Sequence, residues 1–380
     1  MSANKASKQS KPAGNDKTNT KPAKRSGENM HIPENYLSPS TCGILGVAML
    51  PVWAAAIKKT SEQVPREKMP LLGVAAAFCF LSMMFNIPLP GGTTGHAVCG
   101  TLIAILFGPW PAVIAISIAL IIQAVFFGDG GILAIGANCF NMAFVLPFIG
   151  YGIYKFIARR TKSLHGELVA AGVASYVALN CAALCAAIEF GIQPLLFTNA
   201  AGEALYCPYP LLVSIPAMAL GHLTVGGAAE AAFTVCILAF IRKVAPNFAL
   251  LKGAEEGGEG VRSVQKFGEG VQSEQPTSTR ALGPVAALIA ILIAATPLGL
   301  LTTGSAWGEW GAEDLSEMLG YVPSQIANGW EWSAFMPDYS IGALPEACGY
   351  ILSAVIGVAL LIILFKLFSL AMKQKVNFDE

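Results

Sequence analysis

The sequence predicts an all-α integral membrane protein, in which a seven-helix module is followed by two further transmembrane helices. Of the 380 residues, 54% are hydrophobic and only 13% are charged, whereas a soluble chain would carry about a quarter charged residues. The Lys and Arg residues fall into short clusters separated by long apolar stretches. A helix needs roughly 20 apolar residues to cross a hydrocarbon core of about 30 Å. Most of the chain is therefore predicted to lie in lipid.

Nine apolar stretches are candidates for these crossings. They are residues 41–57, 70–87, 97–108, 111–127, 139–158, 167–190, 210–241, 282–303 and 345–370. The third stretch is short and stops at the helix-breaking run Gly108-Pro109-Trp110-Pro111, so a re-entrant segment is its alternative. The positive-inside rule places the basic clusters at 58–68 and 155–162 in the cytoplasm. An odd number of crossings must then separate the outer loop near residue 90 from the second cluster, and three fit if the third stretch crosses.

The polar stretches divide the chain into modules. Residues 1–29 are basic and lack an apolar run, which predicts a disordered extension before a metal-capture module at 30–243. Residues 244–281 have the composition of a flexible cytoplasmic linker. The two-helix module, residues 282–380, contains the acidic segment 304–344, which has no Lys or Arg and is predicted to be extracytoplasmic. The carboxyl terminus is then cytoplasmic.

Sequence motifs for catalysis are missing from the chain. The sequence contains no Gly-x4-Gly-Lys-Ser/Thr, no His-Glu-x-x-His and no Gly-x-Ser-x-Gly. The protein is therefore predicted not to be an enzyme. If its activity consumes ATP, other chains must hydrolyse it.

The four histidines are the candidates for metal chemistry. His31 and His96 both fall on the outer face in the predicted topology, and imidazole is a common ligand of nickel, cobalt and zinc. The alternative is that His96 pairs with loop carbonyls and His31 is a surface residue. His222 and Glu230 lie two turns apart in the seventh helix. Two interpretations are open: the residues have a role in transport, or they form a packed, hydrogen-bonded pair. His165, in a basic cytoplasmic loop, is predicted to be solvated.

Several ordered motifs resemble one known family, CbiM/NikM. One stretch closely resembles the amino-terminal motif of that family: Met30-His31-Ile32-Pro33-Glu34-Asn35-Tyr36-Leu37-Ser38-Pro39. Its central and last-helix signatures are similar to the run from Gly95-His96 through Phe127-Gly128-Asp129-Gly130-Gly131 to Asn141-Met142, and to Gly221-His222-Leu223-Thr224-Val225-Gly226-Gly227. The tail, with Gly304-Ser305-Ala306-Trp307-Gly308-Glu309-Trp310, resembles the extension of longer members and has the layout of the CbiN/NikN partner.

The resemblance implies the substrate-binding component of an energy-coupling factor importer for Co²⁺ or Ni²⁺. Such a component sits in the inner membrane of a prokaryote with its metal site facing outwards. Its implied partners are a transmembrane coupling subunit of the T/Q type and two ABC ATPase subunits, with no nucleic acid. No cofactor is implied beyond the transported metal, and cobalamin biosynthesis is one destination that the resemblance implies for it.

The resemblance also implies a metal site built from nitrogen donors. These are the amine of Met30, the amide nitrogen and imidazole of His31, and the imidazole of His96. A planar set of nitrogen donors suits nickel, copper and low-spin cobalt and disfavours tetrahedral zinc. Thr94, Asn138 and Asn141 are expected to orient the imidazoles by hydrogen bonds.

One departure from the family pattern is that Met30 is preceded by 29 residues. We expect synthesis to start at Met30 or the extension to be removed, because seven basic residues outside the membrane would contradict the positive-inside rule. If the extension persists, another group must replace the amine. The alternative functions are a vitamin carrier on the same scaffold, an intramembrane enzyme and a membrane assembly or scaffold protein. The sequence leaves cobalt and nickel equally open.

Overall fold

The prediction of an all-α membrane protein is confirmed by the computed structural model. The described residues are 31–161, 163–245, 279–302 and 304–372. Within them, the regular structure is helical apart from one two-stranded antiparallel hairpin. Seven described helices are long and apolar enough to cross a membrane. Met30, the extension 1–29 and most of the predicted linker lie outside the described residues.

The helices form two modules. The amino-terminal module, residues 31–245, contains α1 (Pro39–Gln63), α2 (Met69–Met83), β1 (Ile87–Leu89), β2 (Thr93–Gly95), α3 (Gly100–Phe107), α4 (Pro109–Phe127), α5 (Ile135–Ala158), α6 (Leu164–Leu196) and α7 (Leu211–Val244). The carboxy-terminal module, residues 279–372, contains α8 (Thr279–Ala295), its 3-10 continuation (Thr296–Leu301), α9 (Ala312–Leu319), α10 (Ser324–Asn328) and α11 (Glu346–Ala371). Seven of the nine predicted crossings correspond to α1, α4 to α8 and α11. The second predicted crossing, 70–87, contains α2, whose 15 residues are fewer than the roughly 20 of a full span.

The third predicted crossing contains only a short helix, α3. Eight helical residues rise about 12 Å, less than half of the hydrocarbon thickness. The loop after α4 nevertheless reaches the same end of the bundle as His96, since Asp129 contacts His31 and the His31 ring lies beside that of His96. The chain from His96 to Gly108 therefore runs back along α4, as non-helical residues followed by α3. This geometry favours a crossing over the re-entrant alternative.

The start of α3 lies inside the bundle and is capped by a side chain from α7. The amide groups of Val98 and Cys99 donate to Glu230 Oε2 at 2.8 and 2.9 Å. Backbone amides away from water need such partners, and a carboxylate at a helix amino terminus also interacts favourably with the helix dipole. Glu230 thereby stabilises the break between His96 and α3.

The carboxy-terminal module packs along α2 and over one end of the bundle. Gly73 and Gly357 are the contact points of α2 and α11, since a Cβ added there would lie 2.8 Å from Phe365 Cβ and 2.3 Å from Phe80 Cζ. Residues 304–344, hereafter the covering segment, bury Leu315 of α9 in a hydrophobic cluster with residues of the amino-terminal segment and α6. The predicted acidic loop is therefore a packed layer.

Candidate metal site

A cavity of about 100 Å³ lies beneath the covering segment. Six separated parts of the chain contribute to its wall: the amino-terminal segment with His31, the hairpin with His96, α5 with Asn141, α6 with Phe190, α7 with His222, and the covering segment with Glu309. The structure thus gathers the two outer histidines predicted from sequence around one space.

The amino-terminal segment is held against the start of α5 by backbone contacts. Ile32 N donates to Asn138 Oδ1 at 3.0 Å, and Asn138 Nδ2 donates back to the Ile32 carbonyl at 3.2 Å. Gly130 has a positive φ of 90°, and a Cβ there would lie 3.0 Å from His31 Cβ. A glycine is therefore required for this close approach. His31 is fixed in the cavity wall with only 2% of its surface exposed.

The β1–β2 hairpin delivers the second imidazole, because His96 directly follows β2. Its ring centroid lies 5.0 Å from that of His31, with 34° between the planes. Thr94 N and Oγ1 bond the carbonyls of Ser305 and Gly304 in the covering segment, both at 3.2 Å. The carboxy-terminal module therefore holds the hairpin that carries His96.

The residues expected to orient the imidazoles occupy different positions around the cavity. Asn138 holds the backbone of the amino-terminal segment, as described above, and Asn141 Nδ2 donates to Glu189 Oε2 at 2.8 Å. Thr94 and both asparagines line the cavity. Asn141 lies in a π-helical turn, Cys139–Val145, and such turns are frequent at functional sites.

His222 and Glu230 do not form the hydrogen-bonded pair that was one interpretation of the sequence, since each has other partners. His222 Nδ1 lies 2.8 Å from the Met218 carbonyl within its own helix, and its side chain lines the cavity. Glu230 instead caps α3, because the broken helix needs an acceptor there. His165 is exposed, as predicted.

Two carboxylates near the cavity were not singled out as site residues by the sequence. Asp129 follows α4, is 2% exposed, and its Oδ1 lies 3.4 Å from His31 Nδ1. Glu309 lines the cavity, and its Oε2 is buried without a hydrogen-bond partner. Burial, and secondarily the charge of Asp129, raise the pKa of Glu309 well above its ordinary value. Asp129 could have been recognised from the sequence, because it lies inside the glycine-rich motif Phe127-Gly128-Asp129-Gly130-Gly131.

The side chains alone do not complete a metal site. In the part of the chain that the structure describes, no three or more His, Cys, Asp or Glu side chains form a group able to hold a metal ion. The expected site requires only two such side chains, His31 and His96, since its other donors are main-chain nitrogens. Neither ring nitrogen of His31 makes a hydrogen bond within the described residues, and Nδ1 faces Asp129 Oδ1 at 3.4 Å.

These features define a multi-pass membrane protein with two neighbouring imidazoles beneath a segment from its own carboxy-terminal module. The family described as the cobalt uptake substrate-specific transmembrane region matches residues 31–248, and the PDGLE domain matches residues 284–374. The chain belongs to the CbiM family of cobalt uptake transmembrane regions and carries a PDGLE domain after it.

Similar proteins share this two-part organisation. The chain is 42% identical to a probable fused nickel transport protein LarMN of Lactiplantibacillus plantarum, over 89% of this chain and 97% of that protein. It is also 42% identical to a fused nickel transport protein NikMN of Rhodobacter capsulatus, over 88% and 95%. A crystal structure of a truncated transition metal transporter aligns with a TM-score of 0.54 at 50% identity, covering 56% of this chain and 99% of that one.

Proposed function

We propose that this protein is the substrate-specific membrane component of an energy-coupling factor importer, and that it captures Ni²⁺ or Co²⁺ at the extracytoplasmic face. The observation that carries the proposal is the pair of imidazoles, His31 and His96, with ring centroids 5.0 Å apart at the wall of one cavity. The Met30 amine and the His31 amide nitrogen supply the remaining donors. Nickel is favoured over cobalt because both fused relatives are nickel transport proteins.

The binding test compares histidine variants of a protein that begins at Met30. We expect His31→Ala and His96→Ala each to lower nickel affinity by far more than tenfold, where tenfold corresponds to about 1.4 kcal/mol. His165→Ala, an exposed histidine at the start of α6, is the matched control and binds normally. Equilibrium dialysis with Ni²⁺ measures all four proteins, and tight binding by either cavity variant would contradict the proposed site.

The role of the amine is tested at the amino terminus. We expect a protein that begins at Met30 to bind nickel in planar geometry. One that retains residues 1–29 should bind weakly or with a changed absorption spectrum, because a peptide nitrogen replaces the amine. Equal affinities and identical spectra would show that the amine is not a ligand.

Energised transport requires other subunits under this proposal, because the sequence has no phosphate-binding motif. A transmembrane coupling subunit and two ABC ATPase subunits are the proposed partners. We expect the purified chain in liposomes with ATP to show no uphill nickel uptake, and uphill uptake would contradict the need for other subunits. A vitamin carrier or assembly protein on this scaffold is less well supported, since neither accounts for the paired imidazoles.

A further inference from the structure

Residues 330–335 of the covering segment expose three large aromatic side chains, hereafter the aromatic face. Trp330, Trp332 and Phe335 are 50, 40 and 70% exposed, and the centroids of the two tryptophan rings are 6.4 Å apart. Single apolar side chains are common at a protein surface, whereas a group of large ones marks a site of contact with a protein or a membrane. The aromatic face therefore calls for an occupant.

The aromatic face is held at the last turn of α4 by hydrogen bonds. Trp332 Nε1 donates to the Val125 carbonyl at 2.9 Å, and Met336 N donates to the Phe126 carbonyl at 2.8 Å. The Phe335 ring centroid also lies 5.3 Å from that of Phe126. Carbonyls in the last turn of a helix have no donor within that helix, so the covering segment supplies the missing donors. The end of α4 thereby fixes the position of the aromatic face.

This position is at the boundary of the hydrocarbon core. Helix α4 has 19 residues and rises about 28 Å, close to the hydrocarbon thickness of about 30 Å. Ile121 of α4 is exposed and lies on the same face of the helix as Val125, four residues later. An exposed side chain in a membrane-spanning helix contacts lipid. The lipid-facing surface of α4 therefore continues into the aromatic face.

The residue types of the aromatic face suit a lipid–water interface. Tryptophan combines a large apolar ring with a polar N–H group, and it is enriched at both interfaces of a membrane. The covering segment has no Lys or Arg, so attraction to anionic headgroups does not hold it at the membrane. Contact with lipid therefore depends on the aromatic rings.

We propose that the aromatic face binds the outer leaflet of the membrane, with its rings at the boundary between headgroups and acyl chains. The occupant is phospholipid, because the face continues the lipid-facing surface of α4 at the depth of the interface. The covering segment is then held in two ways, by its hydrogen bonds to α4 and by contact with lipid. This contact is separate from the proposed metal capture and does not depend on it.

The test places an NBD fluorophore on Ser333→Cys, an exposed position within residues 330–335. Cys236 and Cys348 are exposed and are first replaced by serine, and the same protein without a new cysteine measures background labelling. The full chain is purified, labelled and reconstituted in phosphatidylcholine vesicles. We expect the fluorophore to be quenched by a nitroxide carried on the acyl chains close to the headgroups. Iodide added to the water should leave most of the emission unchanged.

The matched control carries the fluorophore at Ser316→Cys, an exposed position on α9 of the same segment. We expect iodide to quench this label and the nitroxide lipid to leave most of its emission. Quenching of the label at Ser333→Cys by iodide and not by the lipid would show that the aromatic face lies in water, which would overturn the proposal. Protection of that label from both quenchers would indicate coverage by a second copy of the chain, and it would overturn the proposal equally.

A second measurement changes the aromatic face itself. Trp330→Ser combined with Phe335→Ser removes two rings and keeps the hydrogen bond from Trp332 to α4. We expect the label at Ser333→Cys in this variant to lose its quenching by the nitroxide lipid and to become accessible to iodide. Met318→Ser removes an exposed apolar side chain of α9 and should keep the quenching of the unmodified protein. Equal quenching in the two variants would show that the rings do not bind lipid and would contradict the proposal.

Discussion

The Glu309 carboxyl group is buried, and its Oε2 has no hydrogen-bond partner. Burial beside Asp129 raises its pKa well above the ordinary value of 4.5, so the folded protein keeps a proton that the unfolded chain releases. The folded state therefore binds more protons than the unfolded state above that pH. The resulting contribution to stability is fully present below pH 4.5 and is lost as the pH rises through the folded pKa.

We predict that Glu309→Gln flattens this pH dependence in the metal-free protein, because the amide stays neutral at every pH. The thermal unfolding midpoint in detergent, measured across a pH series, reports the slope. Glu313→Gln removes an exposed carboxylate of the same segment and keeps the slope of the unmodified protein. Parallel slopes for Glu309→Gln and the unmodified protein would show that Glu309 is ionised in the fold.

At the scale of residues, the sequence indicated the two imidazoles and, with the family resemblance, Thr94, Asn138 and Asn141 near them, but it did not indicate Asp129 or Glu309 as site residues. His31 and His96 followed from counting crossings, since both fell on one predicted face. Tyr339 and Asp129 are 210 residues apart in the chain, and their contact depends on how α11 and the covering segment pack. Chain separations of this size have no periodic signature in a single sequence.

The contact between α2 and α11 depends on a glycine at the level of the helices. A Cβ on Gly357 would lie 2.3 Å from Phe80 Cζ, and the Phe80 side chain is fully buried. We predict that Gly357→Ala lowers the free energy of unfolding by about 1–3 kcal/mol through overpacking. Gly43→Ala in α1 is the control, because no atom lies within 4 Å of its added Cβ. Thermal unfolding in detergent compares the two, and equal midpoints would contradict this packing.

Apolar length located the seven long helices, and the sequence also showed that the third stretch is short and ends at the Gly108-Pro109 break. It did not show that helix α3 begins only at Gly100, because its start is stabilised by Glu230, which is 131 residues from Cys99. The π-helical turns at Gln123–Phe127, Cys139–Val145 and His222–Gly226 likewise have no simple residue pattern.

For the whole molecule, the orientation of the covering segment is the decisive prediction. The segment has no Lys or Arg, so we expect it outside the cell. Cys236 and Cys348 are exposed and are first replaced by serine. A cysteine introduced at Ser316 then reacts with an impermeant reagent on intact cells, and one at Ser163 reacts only after the membrane is opened. The reverse pattern would invert the whole topology.

Composition predicted the order of the two modules along the chain, but it did not predict how the carboxy-terminal module packs on the amino-terminal one. The sequence indicated two further helices joined by an acidic loop, and the structure contains them. It did not indicate that the loop would form backbone hydrogen bonds to the hairpin and to α4. Such bonds use groups that every residue carries, so residue identity gives little information about them.

The covering segment and the cavity belong to one polypeptide, which has a consequence at low protein concentration. Its docking over the cavity is an intramolecular step, so the covered fraction does not change when the protein is diluted. A cover supplied by a separate chain would instead be lost from the site at low expression. The fused chain thus keeps one cover for each cavity, even where only a few copies occupy the membrane.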